Sequence, residues 1–291
     1  MKIAVFDDLR VGVVQGTTIH DVTSVVPDSC WPEQRVNWLI RNWAEAGPRL
    51  AELDGYPAVQ VERVTLGAVN PAPPQLFAIP ANFQAHIGEL GSRAITAKGK
   101  SAKQAGFFLK AAGSVSGASE PIALPAGSAR RFDHECELGV VIGRGGRNIS
   151  RAHAFDHVFG YTCLIDITMR IEKGEFEEDR SLRKSFRSFT PVGPYLVTAD
   201  EVPDVAALSS RLLVNGEQRQ QADLKNMIVG VDEAIELVSS VVDIQPGDLI
   251  ASGTPRGVGP IRPGDEVTIE VDGVGRMTLA VSEAPPSPRP F

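Results

Sequence analysis

The chain has 291 residues, 43% of them hydrophobic and 22% charged, the make-up of a globular protein long enough to bury a large core. A formal net charge of −7 and a pI near 5.3 argue against a nucleic-acid partner, which would want a basic stripe, and against an anionic membrane surface. Three widely spaced cysteines (Cys30, Cys136, Cys163) without a CxxC, and no apolar run of membrane-spanning length, predict reduced thiols in a cytoplasmic protein. The opening MKIAVFDDLRVGVV is broken by Asp7, Asp8 and Arg10, so it lacks the apolar stretch of a signal peptide.

In chain order, MKIAVF, RVGVV and TTIHDVTSVV predict a small antiparallel meander. Val36, Leu39, Ile40, Trp43 and Ala46 fall at helical spacing, and Gly47-Pro48 should end or interrupt that helix. PAVQVERVTL reads as a strand. Residues 69–82, VNPAPPQLFAIPAN, carry four prolines and read as a linker, which divides the chain into a small N-terminal domain, 1–75, and a larger domain, 76–291. In the second part, RFDHECELGVVIG is a strand and NISRAHAFDHVFGY is helical from an N-cap at Ser150. VGVDEAIELVSSVV is a second helix, with Val231, Ile235, Val238 and Val242 on one side, and DLIASGT is a strand. EVTIEVDGVGRMTLAVS is a hairpin turning at Asp272-Gly273. The tail APPSPRPF reads as loose. Many short strands with few helices predict a β-rich α+β fold.

The chemistry concentrates in HECELGVVIG. Side chains alternate along a strand, so Glu135 and Glu137 face the same way. Two like charges that close repel unless a cation lies between them, and Mg²⁺ or Ca²⁺ favours carboxylate oxygens. A solvated strand end or an arginine clamp would explain an isolated pair as well. Asp166 adds a third carboxylate inside the apolar run GYTCLIDITMR, where a lone charge is costly unless paired or bound to metal. Three carboxylate ligands would leave positions open for water and substrate. GRGGRN at 143–148 reads as a turn, and His153 and His157 as part of a surface helix. No GxSxG elbow is present.

Six stretches, in order, resemble the fumarylacetoacetate hydrolase superfamily: HECELGVVIGRGGRNIS, AFDHVFGYTCLIDIT, RKSFRSFTPVGPYLVT, LVNGEQRQ, IQPGDLIASGTPRGVG and RPGDEVTIEVDGVG. The resemblance implies a mixed β-sandwich roll as the catalytic domain, preceded by a small α/β domain. It implies that Glu135, Glu137 and Asp166 ligate Mg²⁺, or Mn²⁺ or Ca²⁺. It also implies a homodimer acting on a small keto acid in aromatic catabolism. Lys184 matches a lysine that faces the substrate, where an ammonium would stabilise a developing enolate. Arg170 matches an arginine that could hold a substrate carboxylate, an ion pair with a nearby Glu being the other reading. Thr254 matches a threonine bordering the bound keto acid, and Lys110 a further position in the pattern FFxK. His86 and Glu89, three apart in ANFQAHIGEL, match a pair on a lid over the metal, where the Glu orients the His and the His takes a proton from water.

The sequence departs from the family where Ile171 and Lys173 stand in place of an Asp and a Gln after the metal carboxylate. EKGEFEED, which follows, reads as a solvated loop. The leading expectation is a divalent-metal-dependent hydrolase that cuts a C–C bond in an acylpyruvate-like diketo acid of the fumarylacetoacetate or fumarylpyruvate type. The alternatives are a 2-oxo acid decarboxylase, or a dehydratase or isomerase of a 2-keto-3-deoxy sugar acid or a 2-hydroxyhepta-2,4-diene-1,7-dioate-like substrate. A scaffold without activity is disfavoured by the intact set of site residues.

Overall fold

A computed structural model describes residues 1–90 (backbone only at 89 and 90), 101–172, 174–288 and 291. The N-terminal strands are β1 Lys2–Phe6, β2 Arg10–Gln15, β3 Thr18–Asp21 and β4 Ala58–Gln60, with α1 Arg35–Arg41 and α2 Trp43–Arg49 between the last two. Next come β5 Leu76–Ala78, α3 Gln84–Leu90, α4 Ala102–Ala105, β6 Phe108–Leu109, β7 Val115–Ser116 and β8 Ile122–Leu124. The central elements are β9 Phe132–His134, β10 Cys136–Ile142, β11 Val158–Ile165, β12 Thr168–Met169, α5 Arg180–Arg183 and β13 Thr190–Thr198. The chain closes with β14 Ser209–Val214, β15 Glu217–Asp223, α6 Val231–Val241, β16 Leu249–Ala251, β17 Gly259–Pro260, β18 Glu266–Val271 and β19 Gly275–Glu283.

Among the described residues, one sheet runs β4-β3-β2-β1-β13-β11-β10-β16-β5-β6, with β7 beside β13. A second runs β15-β14-β18-β19-β8, and β12-β9-β17 makes a small third. The middle of the large sheet is buried on both faces. Leu138, Val140, Tyr161 and Cys163 share a core with Leu212, Ile269 and Met277 of the second sheet. Val141, Leu164, Val192 and Leu249, pointing the other way, share a core with Val36, Leu39 and Ile40. This two-sided burial makes β10 and β11 near-continuous apolar runs rather than alternating ones. The β-rich α+β sandwich expected from the sequence is the fold observed.

Several local expectations differ. Residues 1–75 have no sheet of their own: β1 pairs with β13, Lys2 opposite Val197 and Ile3 opposite Leu196. A continuous sheet and a shared core cross the boundary expected near residue 75. The stretch read as a linker holds β5, fully buried and parallel to β16. Prolines flank that strand without sitting in it, which is where a buried strand tolerates them. The first helix breaks at Asn42, whose side-chain amide donates to the Trp38 carbonyl at 2.8 Å and competes with the backbone ladder. Pro48, expected to stop it, lies inside α2. Residues 61–63 form a 3₁₀ turn where a strand was expected, and the helix expected over 148–161 is a 3₁₀ helix at 151–157 that gives way to β11 at Val158. The tail is anchored by Phe291, whose ring meets Phe186 edge-on at 4.8 Å.

One buried amide ties these layers together beside the strand ends. Asn82 donates to the carbonyls of Val229 at 2.8 Å and Ser252 at 2.7 Å, and accepts from Val229 N–H at 2.8 Å. It is 1% exposed, so water cannot replace those bonds. Asn82→Ala is expected to lower the unfolding free energy by about 3 kcal/mol, because it strands three buried polar groups. Urea unfolding of both proteins measures it.

Candidate active site

Glu135 sits in the step between β9 and β10, and Glu137 one residue into β10. Asp166 directly follows β11, the neighbour of β10, with Cys136 opposite Ile165. The Asp166 N–H donates to the Glu135 carbonyl at 2.9 Å. The strand register therefore brings all three carboxylates together: one oxygen from each lies within 4.8 Å of the others, and all three residues are buried. On the opposite flank of β10, β16 runs out into Gly253, whose N–H donates to Glu137 Oε2 at 2.8 Å. Gly253 has φ +86°, and a Cβ there would come within 2.6 Å of Asn82 Cβ and the Ile79 carbonyl. Only glycine meets both conditions.

Cations surround the cluster. Lys184, just past α5, donates from Nζ to Glu135 Oε2 at 2.8 Å, Asp166 Oδ2 at 2.5 Å and Thr168 Oγ1 at 2.6 Å. Lys110 pairs with Asp166 Oδ1 and donates to the Phe189 carbonyl at 2.9 Å. Arg170 donates from Nη2 to Glu135 Oε1 at 2.6 Å and from Nε to Asp133 Oδ2 at 2.7 Å. Burial would raise the Glu135 carboxyl, but Lys184 and Arg170 outweigh it and hold it well below the usual carboxylate range. Glu137 goes the other way. Burial, then the charges of Asp166 and Glu135, push it well above the usual range, against Lys184 and the Gly253 N–H. Burial likewise pulls the Lys110 ammonium down against the attraction of Asp166.

The cluster opens onto a cleft lined by Glu135, Glu137, Asp166, His86, Arg170, Arg180, Arg183, Lys184 and Thr254, with Phe108 on one wall. His86, near the start of α3, is 4% exposed and close enough to Glu135 to act on its charge. The Glu89 side chain lies outside the described residues, as does Lys173. Thr254 accepts at Oγ1 from Gln220 Nε2 at 2.8 Å.

Two expected substrate contacts are placed differently. Lys110 is fully buried behind Asp166 and absent from the cleft wall, so it supports a carboxylate. Arg170 reaches the cleft, but two of its nitrogens are already committed to Asp133 and Glu135. The ion-pair alternative is the observed one, because the buried Glu135 lies directly in its path. EKGEFEED is also more than a solvated loop: Glu178 grips Arg130 at 3.0 and 3.1 Å, and Arg130 donates to the Arg170 carbonyl at 2.9 Å.

Sequence reasoning missed Gln220, Asp133, Arg180 and Arg183. Gln220 Oε1 accepts from Cys136 N–H at 2.9 Å and stands 3.1 Å from His134 Nδ1, while its Nε2 holds Thr254 and, at 2.9 Å, the Pro255 carbonyl. It is the one buried residue in otherwise half-exposed or exposed β15, and a glutamine there looked like surface. Asp133 was findable, since 133, 135 and 137 share one face of the strand. His157, read as part of a surface helix, is buried with Nδ1 2.8 Å from the Arg144 carbonyl.

The donor set suits a divalent cation. Three clustered carboxylates offer hard oxygen ligands, and Glu137, facing two like charges, receives among the described residues only one backbone N–H in return. The unbalanced charge is what a bound dication would neutralise. The three cysteines are free, and no helix among the described residues is long and apolar enough to cross a membrane.

Comparison with known proteins agrees with this geometry. Residues 75–282 match the family described as fumarylacetoacetate (FAA) hydrolase C-terminal. The maleylpyruvate hydrolase of Aquipseudomonas alcaligenes is 39% identical over 97% of this chain and 99% of its own. The crystal structure of maleylpyruvate hydrolase from Sphingobium sp. SYK-6, in complex with manganese(II) and pyruvate, superposes with a TM-score of 0.85 at 36% identity, covering 98% of this chain and 100% of that one. The fumarylacetoacetate hydrolase of the psychrophile Exiguobacterium antarcticum gives 0.79 at 30% identity, with 98% and 100% covered. By its sequence, its fold and its three-carboxylate centre, the chain belongs to the fumarylacetoacetate hydrolase family.

Proposed function

We propose that the chain is a divalent-metal-dependent hydrolase that cleaves a C–C bond in an acylpyruvate, of the kind represented by maleylpyruvate. The observation that carries this reading is the buried Glu135–Glu137–Asp166 cluster at the base of a cleft walled by arginine and lysine. Support comes from the near-full-length similarity to a maleylpyruvate hydrolase and from a related structure that holds manganese(II) and pyruvate, the fragment common to acylpyruvates. Mg²⁺, the usual choice for a few carboxylates plus water, is the ion this reading places there in the cell. When bound, such an ion would polarise the 2-oxo acid end and help neutralise the negative charge that develops on it.

The chain's own residues supply the rest. His86 takes a proton from water as the water oxygen adds to the distal carbonyl carbon. The bond between that carbon and the adjacent methylene then breaks, and its electron pair passes to the pyruvate fragment as an enolate. Lys184, at the cluster and the cleft wall, stabilises that charge. The proton held by His86 returns to the methylene carbon, which gives one carboxylic acid and one pyruvate per water consumed. The family resemblance gives Glu89, three residues on in the sequence, the part of orienting His86. Thr254, positioned by Gln220, presents its hydroxyl to the 2-oxo acid end. The enzyme works as a homodimer in the cytoplasm; the acidic pI and free cysteines support that compartment.

The direct test is incubation of the Mn²⁺-loaded protein with maleylpyruvate. Pyruvate and a dicarboxylic acid should form in equal amounts. Release of CO₂, or isomerisation without pyruvate, would instead favour the decarboxylase or isomerase chemistry.

Two variants test the parts. Mn²⁺ with oxalate, which resembles the pyruvate enolate, should raise the melting temperature by roughly 5 °C near saturation, and Glu137→Ala should abolish that rise. His86→Ala should lose about 10²–10⁴-fold in kcat while the thermal shift with metal and oxalate persists. Steady-state kinetics and scanning fluorimetry on the same preparations separate the two effects.

A further inference from the structure

The cations of the cleft are almost all spoken for. Lys184 holds Glu135 and Asp166, and Arg170 holds Glu135 and Asp133. Arg183 is 4% exposed and donates to the carbonyls of Met169 at 3.0 Å and Glu178 at 3.1 Å. Arg180 differs. It opens α5, lines the cleft, and among the described residues its guanidinium makes no hydrogen bond or ion pair. It lies instead over the ring of Phe108, with the guanidinium carbon 5.1 Å from the centroid. The acid beside it, Asp179, is spent capping α5, accepting from Ser181 N–H at 2.8 Å. Burial lowers the affinity of Arg180 for its proton, and Glu135, Asp179 and Asp166 offset that only in part. A half-buried guanidinium propped on an aromatic wall, its N–H edge uncommitted, is a prepared anion receptor.

We propose that Arg180 binds the carboxylate at the acyl end of the substrate, so that the enzyme selects acylpyruvates carrying a second carboxylate over those ending in a neutral group. The proposal rests on the acylpyruvate reading for its choice of substrates. It assigns specificity to a residue that the chemistry at the metal cluster does not use. The 2-oxo acid end lies at Glu135, Glu137 and Asp166, and Arg180 meets the other end. A carboxylate there accepts two N–H bonds from a planar fork, and the Phe108 ring backs the guanidinium.

The test compares wild type, Arg180→Met and Arg180→Lys on maleylpyruvate and on acetylpyruvate, which lacks the distal carboxylate. Arg180→Met should lose about 30-fold in kcat/KM on maleylpyruvate, mostly through KM, and change by less than about threefold on acetylpyruvate. Arg180→Lys should recover part of the loss. An equal fall on both substrates, or no fall on maleylpyruvate, would overturn the proposal. A second arm needs no turnover: calorimetric binding of 2-oxoheptanedioate and 2-oxoheptanoate to the Mn²⁺-loaded protein, ligands that differ only in the terminal carboxylate. Wild type should prefer the diacid, and Arg180→Met should lose the preference. If wild type cleaves neither acylpyruvate, the hydrolase reading fails and this arm still decides the role of Arg180. Equal wild-type affinity for the two ligands would then overturn it.

Discussion

Three carboxylates buried within 4.8 Å of one another are the constraint on which the rest of this structure depends. Each loses its hydration, and each repels the other two. The protein answers unevenly. Glu135 receives an ammonium and a guanidinium, and Asp166 receives two ammoniums. Glu137, among the described residues, receives one backbone N–H. The result is a graded site, with one end nearly neutralised by protein and the other left in deficit. A centre balanced throughout by lysine and arginine would be a structural ion-pair cluster with little need for metal. Here the deficit falls on the carboxylate next to Gly253, between neighbouring strands, where the backbone leaves no room for another side chain.

That arrangement needs the large sheet. Glu137, Asp166 and Gly253 come from β10, from the end of β11 and from just past β16, three strands in direct sequence across the sheet. Sheet register fixes their relative height, and burial on both faces fixes the register. The N-terminal residues contribute by covering one face: β1 extends the sheet at β13, while Val36, Leu39 and Ile40 close the core over Val141, Leu164 and Leu249. The segment 76–83 supplies a strand beside β16 and then Asn82, which clasps Ser252 and Val229. The catalytic layer is therefore assembled from distant parts of the chain rather than from one contiguous block.

Much of the site was legible because its signals are local or chemically extravagant. Alternation placed Glu135 and Glu137 on one face, and an Asp inside an apolar run had to have a reason. The strands and the 272–273 hairpin follow from period-two patterning and turn residues. What sequence could not supply was partner choice. Arg170 and Arg180 are both arginines near an acidic segment, and nothing in their spacing says that one is consumed by Asp133 and Glu135 while the other, among the described residues, stays uncommitted. Lys110 was visible as a candidate but not as a strut behind Asp166. Gln220 looked like any glutamine in a polar strand. The proline-rich stretch misled because proline reports local backbone limits, whereas β5 is held by β16, more than 170 residues away in sequence.

Charge at two length scales explains how an acidic protein receives an acidic substrate. The net charge of −7 acts over the surface, but at physiological salt it is screened within about 8 Å. Inside the cleft the near field counts, and there Arg170, Arg180, Arg183 and Lys184 stand around the three carboxylates. Most of that positive charge is internally compensated, so it sets geometry more than attraction. A cation already paired gives a ligand little, because binding it would mean breaking one salt bridge to make another. An uncommitted guanidinium gains the full interaction and relieves its own desolvation. Affinity for an anionic substrate should thus be concentrated at the open face of Glu137, through whatever cation fills it, and at Arg180. Two anchor points fix both the position and the direction of an extended molecule. A diacid held at both ends is fixed in direction, whereas a monoacid held at one end must find that orientation unaided.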